Sequence, residues 1–156
     1  MDKFGYKDKL LLDEKLLITI VRISERYKKD CSAIFKNYGL TFTQYNVLRI
    51  LESSENGQNI ISRISDIMLV SGANMTGIAK RLAKDGFLIK KNMAEDERIT
   101  ILEITPKGKR ALKNITKDKD ELIAKYLMNC SPGQRAELQS NLRKLLSHAI
   151  KNRNSL

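Results

Sequence analysis

The first quarter of the chain carries apolar side chains at an uninterrupted helical spacing. From Asp8 to Tyr38, leucine, isoleucine, tyrosine and cysteine recur every three or four positions, which predicts one long amphipathic helix. A helix of ~30 residues is ~45 Å long, and a globule of 156 residues does not comfortably cover that length. We therefore expect this helix to pack against a partner chain. A surface helix that lies on its own domain is the alternative.

The rest of the chain alternates helical spacing with two short β-branched runs. A capping box of Thr41 and Gln44 opens a second helix, and turn residues over 52–58 predict a loop. The expected later elements are helices over 60–68 and 71–82, strands over 87–91 and 99–104 around a polar loop, and helices over 106–129 and 132–150.

This order predicts a mainly α fold: a winged helix-turn-helix with a two-stranded β-hairpin wing and a helical dimerisation region. We divide the chain into an N-terminal dimerisation helix (8–38), a winged helix-turn-helix lobe (39–108) and C-terminal dimerisation helices (109–151).

The helix expected over 71–82 has a polar face opposite its apolar one. In a helix-turn-helix the second helix lies in the major groove of DNA, where short polar side chains reach base edges and cations contact phosphates. An ordinary three-helix core with polar residues outside is the alternative. The residues that we expect on the DNA side are Ser71, Gly72, Asn74, Thr76, Gly77, Lys80 and Arg81.

The loop between the two strands carries Asp96 and Arg98, and alternating apolar residues lead from there to Thr105 and Gly108. This pattern resembles the MarR family of bacterial transcriptional regulators, whose wing reads Asp-x-Arg, alternating apolar residues, and Leu-Thr-x-x-Gly. The opening of the second helix and the segment 69–76 are similar to the family as well. The resemblance covers nearly the whole chain.

The resemblance implies a homodimer with a winged helix on each side. The recognition helix would enter the major groove, and Arg98 would reach into the minor groove while Asp96 holds its guanidinium group or braces the loop. The sequence departs from the family pattern at Gly77, where arginine is frequent, and at Lys80, where aspartate is common. Base specificity would then depend on the shorter polar side chains of the helix, or on minor-groove shape.

The net charge of +11 fits a polyanionic partner. Its distribution is uneven, because residues 1–59 and 60–108 each carry +2 whereas residues 109–156 carry +7. We interpret the basic last third as a solvated helix surface rather than as a second DNA contact.

The sequence lacks the motifs of an enzyme, a metal site or an exported protein. It has no P-loop, no HExxH motif and no CxxC pair, and His148 is its single histidine. No apolar run could span a bilayer and no signal peptide is recognisable, so we expect a cytoplasmic bacterial protein without enzymatic activity or cofactor. Cys31 is a candidate redox thiol, because some MarR-like regulators sense oxidants through a cysteine. A buried small hydrophobe is the simpler interpretation of both Cys31 and Cys130.

Four aromatic residues near the junction of the first two helices could line a pocket for a small apolar or aromatic effector, or could be plain core: Tyr27, Tyr38, Phe42 and Tyr45. The whole pattern predicts a sequence-specific transcriptional regulator of double-stranded DNA. We expect a ligand-responsive repressor that acts as a homodimer on a pseudo-palindromic operator, with half-sites ~34–36 Å apart. The alternatives are a protein–protein adaptor on a winged-helix fold and a sequence-neutral architectural DNA-binding protein. A cation at the wing tip argues against the adaptor.

Overall fold

A computed structural model describes residues 11–93, 96 and 98–151; residues 8–10, where the first helix was expected to begin, lie outside this range. The elements in chain order are α1 (Leu12–Lys36), α2 (Phe42–Glu52), a 3-10 turn (Glu55–Gly57), β1 (Gln58–Ile60), α3 (Ile61–Met68), α4 (Gly72–Lys84), β2 (Leu88–Asn92), β3 (Thr100–Ile104), α5 (Pro106–Leu127) and α6 (Pro132–Lys151). They fall into two compact units, one ending at Lys119 and one beginning at Asp120. Within the described ranges, no helix is long and apolar enough to cross a membrane.

The first helix ends earlier than its apolar spacing predicts. α1 stops at Lys36 instead of Tyr38, because the following residues form a turn in which the Leu40 N–H donates to the Phe35 carbonyl at 3.1 Å. Gly39 has a φ of +72° in this turn, a left-handed conformation that glycine adopts without strain. The turn places Leu40 in the core and reverses the chain into α2.

The core of the first unit forms where the apolar faces of its helices meet the sheet. The predicted capping box opens α2: Thr41 Oγ1 accepts from the Gln44 N–H at 3.2 Å, and Gln44 Oε1 accepts from the Thr41 N–H at 2.9 Å. The helix then buries one stripe, because its large apolar residues recur every three or four positions. The largest fully buried side chains of the unit are Cys31, Phe35, Val47, Leu48, Leu51, Ile64, Met75, Leu82, Leu88, Leu102 and Ile115.

The sheet has three antiparallel strands in the order β1-β3-β2. The predicted hairpin of β2 and β3 is confirmed, but the expectation of a loop followed by a helix from residue 60 is wrong at Gln58–Ile60, which pairs with β3. Glu103 on the central strand β3 links the two outer strands: its carboxylate accepts from Gln58 Nε2 of β1 at 2.9 Å and forms an ion pair with Lys91 of β2. A strand of three residues is too short to show the alternation of apolar and polar side chains by which strands are recognised in a sequence. It forms because it pairs with β3.

The junction between β3 and α5 is unusually close. Thr105 Oγ1 donates to the carbonyls of Gly86 at 2.8 Å and Phe87 at 3.0 Å and accepts from the Gly108 N–H at 3.1 Å. A Cβ atom on Gly108 would lie 2.4 Å from the Phe87 carbonyl oxygen and 2.7 Å from Ile104 Cγ1. The Thr-x-x-Gly segment therefore begins α5 and lets it pack directly on the sheet.

The second unit consists of the end of α5 and the whole of α6. A capping box opens α6: the Ser131 N–H donates to Gln134 Oε1 at 2.8 Å, and the Gln134 N–H donates to Ser131 Oγ at 3.3 Å. Arg135 donates to the carbonyls of Leu127 and Cys130 at 2.8 and 2.9 Å, which ties the start of α6 to the end of α5 and the connection after it. No described residue of α6 is buried, and its exposed apolar residues are Leu138, Leu142, Leu145, Leu146 and Ile150.

Candidate nucleic-acid interface

A tight turn sets the angle between α3 and α4. Leu69 closes α3 with a φ of 54°, in the left-handed region. Two reciprocal bonds hold the turn, because the buried Ser65 hydroxyl donates to the Val70 carbonyl at 2.9 Å and the Val70 N–H donates to the Ser65 carbonyl at 3.1 Å. A larger side chain at position 65 would separate the helices. The result is the geometry of a helix-turn-helix, with α4 as its second helix.

The two faces of α4 are cleanly divided. Its inward face is buried through Met75, Ile78, Ala79 and Leu82. The helix carries three cations and no carboxylate between Gly72 and Lys84. All the predicted contact residues lie outside the buried face: Ser71, Gly72, Asn74, Thr76, Lys80 and Arg81 are exposed, and Gly77 is half-exposed.

Ser71 also has a structural role that the sequence signals. Its side chain is the N-cap of α4, where Oγ accepts from the Asn74 N–H at 3.4 Å. The cap uses one of the two acceptor sites of the oxygen, so the second site and the hydroxyl proton are left to contact a ligand. Because the cap bonds the backbone of Asn74, it sets the position in the first turn of α4 from which the exposed Asn74 side chain extends.

The wing tip is braced by a carboxylate. Asp96 Oδ1 accepts from the Arg98 backbone N–H at 2.9 Å, and the Asp96 carbonyl accepts from the Ile99 N–H at 3.0 Å. The Met93 N–H closes the loop onto the Ile99 carbonyl at 2.9 Å. Of the two roles considered for Asp96, this geometry supports bracing the loop. The exposed Arg98 side chain is presented from this turn.

A cleft beside α4 adds residues that sequence reasoning did not include. It measures about 420 Å³ and lies between the start of α2 and α4. Thr43, the second residue of α2, lines it together with Asn74 and Arg81. The capping box marked the start of α2, but only the packing of α2 on α4 places Thr43 beside the recognition helix.

Three of the four aromatic residues considered for an effector pocket, Tyr27, Phe42 and Tyr45, belong to one aromatic cluster around Phe35. Phe35 stacks on Tyr45, with ring centroids 4.0 Å apart, and on Phe42 at 6.1 Å, and Tyr27 meets Phe42 edge-on at 6.4 Å. The Tyr38 hydroxyl instead donates to an Asp118 carboxylate oxygen at 3.1 Å, which raises the pKa of Tyr38.

A groove of about 590 Å³ does border this aromatic cluster, and Phe42 is one of its walls. Residues of α1, α2 and the α3–α4 turn line it, among them Lys28, Arg49, Ile50 and Met68. Tyr27, Tyr38 and Tyr45 are not among the lining residues. The groove therefore combines apolar walls with two cations and the carboxylate of Glu25.

The two thiols differ in environment. Cys31 is completely buried, and that burial raises its pKa, an effect that a hydrogen bond from Tyr27 partly opposes. Cys130 is half-buried in the connection between α5 and α6. A buried thiol with a raised pKa is a poor nucleophile at neutral pH. Among the residues that the structure describes, no cluster of three His, Cys, Asp or Glu side chains could hold a metal ion.

Sequence comparison connects the chain to known regulators. The family model described as "Transcriptional regulator SarA/Rot" matches residues 29–115. The chain is 26% identical over 113 residues to the HTH-type transcriptional regulator SarZ of Staphylococcus epidermidis, covering 72% of this chain and 74% of SarZ. It is 27% identical over 115 residues to the HTH-type transcriptional repressor IacR of Pseudomonas putida, covering 74% and 68% of the two chains.

Solved structures share the fold over nearly the whole chain. AbsC, a MarR family transcriptional regulator from Streptomyces coelicolor, superposes with a TM-score of 0.82 at 16% identity, covering 93% of this chain and 99% of AbsC. Sco3205, a MarR family regulator from the same organism solved in complex with DNA, gives 0.80 at 14% identity over 92% of each chain. The organohalide-sensing regulator RdhR-CbdbA1625 in its 2,4-dichlorophenol-bound form gives 0.79 at 15% identity, covering 95% and 88%. The predicted MarR-like winged helix-turn-helix is confirmed.

Proposed function

The chain belongs to the SarA/Rot family of transcriptional regulators, and we propose that it is a homodimeric repressor that binds a pseudo-palindromic operator in double-stranded DNA. The observation that carries this proposal is the outward face of α4, which combines exposed polar groups and cations with no carboxylate. Occupying a promoter requires no catalysis, and we place this action in the cytoplasm of a bacterium.

The residues of α4 divide by chemistry into two groups. Asn74 and Thr76 have short side chains with hydrogen-bonding groups suited to base edges, asparagine pairing with adenine above all. Lys80, Arg81 and Lys84 follow along the helix as cations that would contact phosphates and hold its register.

The wing supplies a second contact. Arg98 is exposed at the loop that Asp96 braces, and its own backbone N–H donates to the Asp96 carboxylate. A cation presented in this way suits the minor groove, whose negative potential is strongest where A·T pairs make it narrow.

Exposed apolar stripes support the homodimer. On α1, Leu12, Leu16, Leu17, Val21 and Ile23 are each more than half exposed. The leucines and Ile150 of α6 form a comparable stripe. Apolar patches of this kind mark association surfaces. A two-fold dimer would offer two α4 helices to half-sites one helical turn apart, ~34–36 Å.

We also propose that a small apolar or aromatic molecule regulates DNA binding from the groove beside Phe42. The fold relative RdhR-CbdbA1625 holds 2,4-dichlorophenol, and the groove here has apolar walls from Phe42, Ile50 and Met68 next to two cations and one carboxylate. An effector that binds the folded state raises the melting temperature, by an amount that grows with the logarithm of its concentration divided by its Kd. Screening phenols and aromatic acids by thermal shift tests this proposal, and a Phe42→Ala variant that responds equally would contradict it.

Selection of DNA from a random duplex pool tests the proposed function. The protein should enrich an inverted repeat with half-site centres about 10 base pairs apart, and sedimentation should show a dimer before DNA is added. Binding to all duplexes without enrichment would instead indicate a sequence-neutral DNA-binding protein. Absence of binding at low salt would refute the DNA-binding proposal and favour an adaptor.

A further inference from the structure

A glycine in the middle of α4 has no steric role in the packing of the fold. Gly77 lies inside the helix Gly72–Lys84, outside the left-handed region, and a Cβ atom built on it meets no atom within 4 Å. Glycine is among the least favourable residues of a helix interior, because it loses the most backbone freedom on folding. Gly108 shows the contrast, since a Cβ there would lie 2.4 Å from a carbonyl oxygen.

Gly77 lies on the exposed face of α4, where the lack of a side chain affects how closely the helix can approach a ligand. At 100° per residue, Gly77 and Ala73 lie near the centre of the face opposite the buried one. Polar and cationic residues flank them, with Asn74 three positions before Gly77 and Lys80 three positions after it. In the first two turns of α4 the centre of the exposed face therefore carries Ala73 and Gly77, and Lys80 and Lys84 continue that face towards the C-terminal end.

The flanking side chains make a close approach necessary. Asn74 and Thr76 are short, so their polar atoms reach base edges only if the helix axis lies deep in the major groove. A long arginine can read a base from a more distant helix, but these residues cannot. A side chain at the centre of the face would hold the helix away from the groove floor.

We propose that Gly77 is a specificity-determining residue, whose missing side chain lets the backbone of α4 approach the base edges closely enough for its short polar residues to read them. This inference rests on the proposed function, in which α4 enters the major groove. It assigns to Gly77 a steric role at the bases, distinct from the phosphate contacts of the cations.

A Gly77→Ala variant tests the proposal. The added methyl group should raise the melting temperature by about 2–4 °C, as expected for alanine in an open helix position of a protein this size. Affinity for the selected duplex should fall about tenfold, the scale of one lost base contact. Affinity for a shuffled duplex should stay within a factor of two, because phosphate contacts dominate there. Gly133→Ala is the control: it adds a methyl group in open space on α6, in the other compact unit, and should leave both affinities unchanged.

Three results would overturn the proposal. Unchanged affinity of Gly77→Ala for the selected duplex would show that the glycine is not needed for base reading. An equal loss of affinity on both duplexes would show that the added methyl group disturbs phosphate contacts rather than base contacts. A lowered melting temperature would show that the fold itself requires the glycine. If the unmodified protein selects no sequence, the proposed function fails together with this inference, and that outcome is visible before any variant is made.

Discussion

Replacing Gly108 with alanine tests whether the close junction between β3 and α5 holds the winged lobe together. The new Cβ would have to move from 2.4 Å to beyond 3.0 Å from the Phe87 carbonyl oxygen. That oxygen cannot yield freely, because it accepts from the Thr105 N–H at 3.1 Å and from Thr105 Oγ1 at 3.0 Å. Ile104, at 2.7 Å, blocks the neighbouring direction.

The expected loss follows from these contacts. Overpacking costs about 1–3 kcal/mol, and weakening two hydrogen bonds adds about 0.5–1.5 kcal/mol for each. Against this, the higher helix propensity of alanine relative to glycine stabilises by at most about 1 kcal/mol. We therefore expect Gly108→Ala to lower the free energy of unfolding by about 3 kcal/mol.

Urea unfolding followed by circular dichroism at 222 nm measures this loss, with all variants at one protein concentration because association alters apparent stability. Gly39→Ala is the matched control. It places alanine at a φ of +72° where no atom lies within 4 Å, so it should cost only the left-handed strain of about 1 kcal/mol. A loss for Gly108→Ala no larger than that for Gly39→Ala would refute the steric reasoning.

Three further predictions follow from single contacts. Asp96→Ala removes a negative charge next to DNA yet should weaken operator binding, because the loop that presents Arg98 loses its brace. Tighter binding of the variant in an anisotropy titration would show that the charge of Asp96, and not its hydrogen bond, determines its effect on DNA affinity. Thr105→Val keeps the shape of the side chain but loses the hydroxyl that caps α5, and should destabilise by about 1–2 kcal/mol in the same urea assay; an unchanged midpoint would contradict this. With Ellman's reagent at neutral pH, Cys130 should react in the native protein and Cys31 only after unfolding, because Cys31 is buried and its pKa is raised. Equal native rates for the two thiols would revive the oxidant-sensing hypothesis for Cys31.

Local signals explain why the helices and the hairpin could be predicted. The capping boxes at Thr41 and Ser131 depend on residues three positions apart, so the sequence contains both partners. The outward face of α4 followed from helical periodicity in the same way. The hairpin followed from two β-branched runs around a polar loop.

Features that depend on distant partners could not be predicted. Strand β1 exists because Gln58–Ile60 pairs with β3, more than forty positions later. The close packing behind Gly108 involves the Phe87 carbonyl, and the placement of Thr43 beside Arg81 requires α2 to pack near α4. The resemblance supplied the Thr-x-x-Gly pattern without its reason, and the structure gives that reason as a steric one.

The most direct test of the DNA-binding account is an anisotropy titration of the selected operator duplex and a shuffled duplex across a salt series, with the unmodified protein and an Asn74→Ala variant. The unmodified protein should prefer the operator by a factor of ~10³ or more. The variant should lose about 1–3 kcal/mol on the operator and almost nothing on the shuffled duplex. Equal affinity for both duplexes with the same salt dependence would contradict it, and would mean that α4 contacts phosphates without reading bases.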